Sequence, residues 1–346
     1  MPIRWRTNMI SSRPVLYGIQ PLYLNLKLLP RQALSLPFTH SEQQVKATPV
    51  IISTALRMDP ARGSMSSEAA TSANNLATVP RIRYQTAELL TQEIYRTQRT
   101  QGDILYVEDV SPQDFSAIEK FREDHNRKYR FRRFYPERRL LVIAIPTKCH
   151  EAMSSTLVNN IHQRIHKMGL ENHWNSTRGA TYGQEGDGSV GLGEGDSSGH
   201  PIQPRVRSWR DWPTLVVEAG CSQSLQHLRD DMGWWFKESN HQVKIVPLIK
   251  FHPGPLEEIT IEQWRERPIG SSGVQLELTC QQVVNIARNS VTANRTLPLS
   301  YTVTGGALEL RFPDLFLRDP GEGEGDIVVE VERLQWLAAM VGHSMF

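Results

Sequence analysis

What the chain lacks narrows it first. No apolar run approaches the ~20 residues a membrane-spanning helix needs; the longest candidate, LLVIAIP from Leu140, is the length of a strand. Cysteine is scarce: Cys149, Cys221 and Cys280 are the only three, far apart and odd in number. No C-x-x-C pair occurs, which argues against a zinc ribbon or a disulfide-stapled scaffold. Scattered thiols without a secretory signal fit a reducing, intracellular setting, nucleus or cytoplasm. Net charge is also small, +2 over 346 residues, so any basic footprint for nucleic acid has to be local.

One stretch has no acidic residue at all. Met1 to Ser41 contains no Asp or Glu but carries Arg4, Arg6, Arg13, Lys27 and Arg31. That is the composition of a mitochondrial presequence, which would send the chain to the matrix. A disordered leader fits it too, as does an over-extended start, because Met65 opens MSSEAATSANN, an ordinary flexible N-terminus. Residues 1–80 are expected to lie outside the fold.

What is present reads as alternating helices and strands. TAELLTQEIYRTQR, capped by Thr86, and SPQDFSAIEKFREDH, with Ser111 at the N-cap and Pro112 at the first helical position, predict two helices. HEAMSSTLVNNIHQRIHKMGL places Met153, Leu157, Ile161, Ile165 and Met168 on one helical face, closed by Gly169. A glycine-rich acidic loop (183–199) precedes strand TLVVEA, a helix from Ser222 to about Glu238, and strand QVKIVPLIKF. Beyond Pro253, VQLELTC and ALELRF alternate like strands, and EVERLQWLAAMVG is a closing helix expected to end before Gly342. The expected division is a helix and strand region over 81–150, a core over 151–252, and a strand-rich extension with its closing helix over 253–346.

Several motifs compete. Gly186-Asp-Gly188-Ser-Val-Gly191 spells the dinucleotide fingerprint, but it lies mid-loop among Glu185, Asp187, Glu194 and Asp196, with no helix opening after it to take a phosphate. His162 and His166 have the spacing of a zinc pair, but Gln163 stands where a catalytic Glu belongs, and both flank an apolar helix face. RKYRFRRFYPERR interleaves Arg127, Lys128, Arg130, Arg132 and Arg133 with aromatics, which suits phosphate contact and base stacking. The same alternation is also how a strand buries its aromatics and solvates its arginines.

The segments IPTKCHEAMSSTL, EGDSSGHP with Asp196, WPTLVVEAGCSQSLQHLRDD with Glu218, and NHQVKIVPLIKF follow the order helix, three strands, helix, strand. In that order they resemble the core of the PD-(D/E)XK nuclease superfamily, and more narrowly its Uma-type restriction-endonuclease-like branch and a fungal set of such proteins. The resemblance covers about Leu140 to Phe251, and LRFPDLFLRDPGEGEGDIV is similar to the fungal set. It implies a mixed α/β (α+β) fold, with a restriction-endonuclease-like αβββαβ core between an N-terminal helical and a C-terminal strand-rich extension.

The implied chemistry is metal-dependent hydrolysis of phosphodiester bonds in nucleic acid. Asp196 and Glu218 would hold Mg²⁺ or Mn²⁺, which lowers the pKa of the attacking water and stabilises charge on the phosphate. Arg229 or Lys237 would steady that charge, and Arg127, Lys128, Arg130, Arg132 and Arg133 would touch the backbone. Read on their own chemistry, without the resemblance, the two carboxylates are better taken as a solvated loop Asp and a strand-end Glu.

The chain departs from the pattern in two places: Gly195 stands where the superfamily has proline, and Gly220 where it has lysine. Leu225, Leu228, Met232 and Trp235 face the core, leaving Gln226, Arg229 and Asp230 outside that stripe. Arg229 stays protonated and so can steady a phosphate but not act as a base; Lys237 lies two turns on, and Lys244 on the next strand. The alternative is therefore a catalytically inactive nuclease-fold protein that binds nucleic acid or protein.

Overall fold

The computed structural model describes residues 79–126, 129–183, 191–202, 211–269 and 275–345, all within one compact unit spanning Ala69–Phe346. The leader reading, the glycine fingerprint up to Val190, and Arg127 and Lys128 fall outside these residues.

The first region is a four-stranded sheet under two helices. Strand β1 (Arg81–Arg83), helix α1 (Ala87–Arg99), β2 (Ile104–Glu108), α2 (Pro112–Asp124), β3 (Arg130–Tyr135) and β4 (Leu140–Ala144) give the sheet order β1-β2-β4-β3. Both helices start where their caps predict. The Thr86 hydroxyl accepts from Leu89 N, and Ser111 exchanges bonds with Asp114 in a capping box ahead of Pro112. Leu90 and Ile94 of α1 and Phe115 and Ile118 of α2 pack on Leu105, Val107, Leu141 and Ile143.

The core follows. Helix α3 (Lys148–Lys167) leads into β5 (Trp174–Ser176), the short pair β6 (Thr181–Tyr182) and β7 (Gly193–Glu194), β8 (Ser197–Pro201), β9 (Leu215–Gly220), α4 (Leu225–Glu238) and β10 (Val246–His252). Strand β8 pairs antiparallel with both β5 and β9, and β10 lies parallel to β9. With β6–β7 set aside as a separate pair, this is the αβββαβ order, in a mixed α/β fold. The sheet then continues through β11 (Glu258–Ile269), β12 (Gln275–Arg288) and β13 (Tyr301–Thr304) to seven strands, order β13-β12-β11-β10-β9-β8-β5.

A further pair, β14 (Leu308–Leu310) and β15 (Ile327–Val329), flanks helix α5 (Phe312–Phe316), and helix α6 (Val331–Ser344) closes the described chain. Helices α3 and α6 belong to one core cluster, with Met153, Leu157, Ile161 and Ile165 of the former and Leu334, Leu337 and Val341 of the latter packed with Val217, Ala219 and Ile249 of the sheet. On the opposite face, Leu228, Met232 and Trp235 of α4 cover Val216, Val246 and Leu248. Covering both faces explains why β9 and β10 are largely apolar runs, broken only by Glu218 and by Lys250 and His252, and not alternating ones.

Two local expectations fail. Helix α6 runs through Gly342 instead of stopping before it; the glycine serves close approach there, since a Cβ would run into the Arg295 carbonyl oxygen. And β3 does not solvate its arginines. A bulge between Phe131 and Arg133 breaks the alternation, and Arg132 and Arg133 are 1% and 0% exposed.

Candidate functional site

Glu218 sits fourth in β9, between two covered sheet faces, and is fully buried. Asp196 precedes β8 and is nearly as buried, so neither is a solvated tip. The two are close in space: Arg132 Nη2 lies 2.8 Å from Glu218 Oε2 and 3.8 Å from Asp196 Oδ2, so the carboxylates are no farther apart than those two distances added. The space between the carboxylates is held by guanidinium.

Each carboxylate oxygen already accepts hydrogen bonds. Glu218 Oε2 takes Arg132 Nη2, and Oε1 takes Arg133 Nη2 at 2.9 Å and Trp235 Nε1 at 2.6 Å. Asp196 Oδ1 accepts from Arg130 Nη1 at 3.1 Å; Oδ2 accepts from Ala219 N at 2.6 Å and lies 3.0 Å from His150 Nε2. Around them Arg130 reaches Glu151 at 2.8 Å, Arg132 Nε lies 2.8 Å from Asp231 Oδ2, and Arg133 Nη2 donates to the Asp231 carbonyl. Arg133 also lies over the Trp234 and Trp235 rings, 4.4 and 4.5 Å from their centroids.

The charges follow from this geometry. Burial disfavours the Asp196 carboxylate, but His150, Arg132 and Arg130 outweigh it and hold its carboxyl well below the usual range. Burial likewise opposes an Arg132 cation, yet Glu218, Asp196 and Asp231 raise it above its ordinary value. For Glu218 burial is the largest influence and pushes the carboxyl up, against the pull of Arg132 and Arg133. The donors on its oxygens are nevertheless a set that only the ionised carboxylate accepts in full.

The residues do not fit a divalent cation as they stand. Mg²⁺ demands near-octahedral oxygen ligands at about 2.0–2.1 Å, and here the carboxylate lone pairs face N–H donors while a positive charge sits between the two groups. Among the described residues no group of three or more His, Cys, Asp and Glu is placed to hold a metal ion. The other expected catalytic groups are engaged elsewhere. Arg229 forms a two-point pair with Glu262 of β11, at 2.9 and 2.5 Å. Lys237 has an 84% exposed side chain whose nearest acid is Glu238, 3.9 Å away.

Arg132 and Arg133, expected to touch a nucleic-acid backbone, are buried and paired with Glu218. Arg130 is also committed, to Asp196 and Glu151. His162 and His166 of α3 behave as boundary positions, His162 half-buried and His166 exposed beside Glu171.

His150, Glu151, Asp231, Trp234, Asp103 and Lys250 were not singled out from sequence. Asp103 caps the turn after β9, accepting from Cys221 N at 2.5 Å and Ser222 N at 3.0 Å. Lys250, opposite Gly220 in β10, donates to the Cys221 carbonyl at 2.5 Å, and burial lowers its pKa. The Arg132-Arg133 doublet, which breaks the aromatic–basic alternation, was the available signal for the arginines. Nothing in the local pattern marks His150 or Asp231.

Comparison with known proteins adds little. No family model matches the chain, and no curated protein matches it by sequence. Among solved structures it is similar to a "putative nuclease belonging to DUF820" from Anabaena variabilis, at 15% identity over 41% of this chain and 73% of that one, with a TM-score of 0.27. So low a score carries no argument.

Proposed function

We propose that this protein is a catalytically silent member of the restriction-endonuclease-like fold, working by binding and not by hydrolysis. The observation that carries this reading is Arg132, whose guanidinium lies between Asp196 and Glu218 and contacts both. The arginines come from β3 of the first sheet and the carboxylates from the core, so the residues expected at a metal site instead join the two sheets. Removing any one partner would strand a buried charge.

A second reading, Mg²⁺-dependent cleavage of nucleic acid by Asp196 and Glu218, is supported by their closeness and by the αβββαβ order. It requires Arg132 to leave. Calorimetric titration of the full chain with Mg²⁺ and Mn²⁺, beside cleavage assays on single- and double-stranded nucleic acid, separates the two. The silent-fold reading expects no stoichiometric binding and no cleavage above the metal blank. One-to-one binding that Asp196→Asn abolishes would return the site to the hydrolytic reading.

A further inference from the structure

Cys149 and Cys221 are 72 residues apart in sequence, yet the Cys221 Sγ–H donates to Cys149 Sγ at 3.0 Å. Both thiols are free and half-buried. Both line a cleft of about 690 Å³, walled also by Gln98, Gln101, Phe251, Pro253 and Met345, so a small solute can reach them. Their surroundings are unequal. Cys149 lies in the first turn of α3, just after the Thr147 cap, where the helix N-terminus favours a thiolate. Cys221 sits at the end of β9 with Asp103 bonded to its backbone N–H, a negative charge that favours the protonated thiol.

We propose that Cys149 and Cys221 form a reversible dithiol–disulfide site, with Cys149 the nucleophile toward hydrogen peroxide and Cys221 the resolving thiol. The Cys149 thiolate attacks one peroxide oxygen. The S–O bond forms as the O–O bond breaks, and the leaving hydroxide takes a proton to become water. Cys221 sulfur then attacks the sulfenic sulfur, the S–O bond breaks, and hydroxide leaves with the Cys221 proton as a second water. Two thiols lose two electrons, and one peroxide gains them. Two equivalents of a small thiol reverse the change through a mixed disulfide.

The directions at the two sulfurs agree with these roles. The hydrogen bond from Cys221 lowers Cys149, and the same bond together with burial raises Cys221. Cys280 is an internal control, its thiol pushed up to about 11 by burial and bonded to Gln282 O. The disulfide would fasten the N-terminus of α3, which carries His150 and Glu151, to the end of the strand that carries Glu218.

The test uses the full chain at neutral pH: exposure to hydrogen peroxide, alkylation of the remaining thiols, digestion and mass spectrometry. The expected product is an intramolecular Cys149–Cys221 peptide lacking two hydrogens and restored by dithiothreitol, with Cys280 still open to alkylation. In Cys221→Ser the expected product is a sulfenic acid at Cys149, trapped by dimedone. In the untreated wild type, Cys149 should alkylate at least about tenfold faster than Cys280, a comparison that needs no variant to fold. Cross-links that involve Cys280 or join two chains, or equal reaction rates at all three thiols without a cross-link, would overturn the proposal.

Discussion

Arg132 and Glu218 meet at 2.8 Å with side chains 2% and 0% exposed. Arg133 joins the same carboxylate from the neighbouring position, because the bulge in β3 turns two consecutive arginines toward one strand. A pair so far from water gains only if its remaining donors and acceptors are also satisfied. Trp235 Nε1 on Glu218 and the Asp231 carbonyl under Arg133 Nη2 supply part of this, while Arg132 Nε and Arg133 Nε are buried without a hydrogen-bond partner among the described residues.

Trp235 gives the first prediction. Its Nε1–H donates to Glu218 at 2.6 Å from a fully buried ring. Trp235→Phe keeps most of the packing but leaves a carboxylate oxygen short of a donor, at an expected cost of about 1.5–3 kcal/mol, the range for bonds to charged groups. Urea unfolding measures it.

The second concerns pH. Burial works against an imidazolium at His150, but the Asp196 carboxylate 3.0 Å away outweighs it, so the His150 pKa lies above 6.5. A raised basic pKa contributes stability that is full below pH 6.5 and is lost as pH climbs through the folded value. The lowered Asp196 contributes stability that is full above pH 3.8 and is lost as pH falls through its folded value. Unfolding free energy should therefore decline on the alkaline side of pH 6.5, and His150→Gln should flatten that decline.

Gly195, standing where the resemblance has proline, gives the third. A Cβ there would meet Val216 Cγ1 at 2.8 Å and Trp235 at 3.4 Å, and Val216 is itself fully buried. Gly195→Ala is expected to cost about 1–3 kcal/mol by overpacking, read as a drop in Tm. A neutral result would mean that β8 and β9 can separate freely.

The fourth separates Arg229 from Lys237. Arg229→Ala leaves the buried Glu262 carboxylate without its cation and with only Trp264 Nε1 as a donor, and should lower stability by about 1–3 kcal/mol. Lys237→Ala removes an exposed side chain and should stay within about 0.5 kcal/mol of wild type. Thermal unfolding of both variants checks the contrast.

Much of the fold was legible because it rests on short-range rules. The Thr86 and Ser111 caps, the apolar face of α3, and the covered strands LLVIA and LVVEAG all express local periodicity or start signals. The order of the core elements followed from them. The site was legible only in part. LVVE marks Glu218 as unusual in a covered strand, but its partners lie 86 and 85 residues away on a different sheet. No spacing rule connects them. Alternation with Tyr129 and Phe131 assigned Arg132 to solvent, and a bulge in β3 buries it together with Arg133.

The most direct test is the unfolding free energy of wild type and Glu218→Gln, each measured with and without millimolar Mg²⁺. If Glu218 is the structural counter-charge of Arg132 and Arg133, the variant loses about 3–5 kcal/mol and Mg²⁺ changes neither protein. If Glu218 instead waits for a metal, the variant is as stable as wild type or more so, and Mg²⁺ stabilises only the wild type.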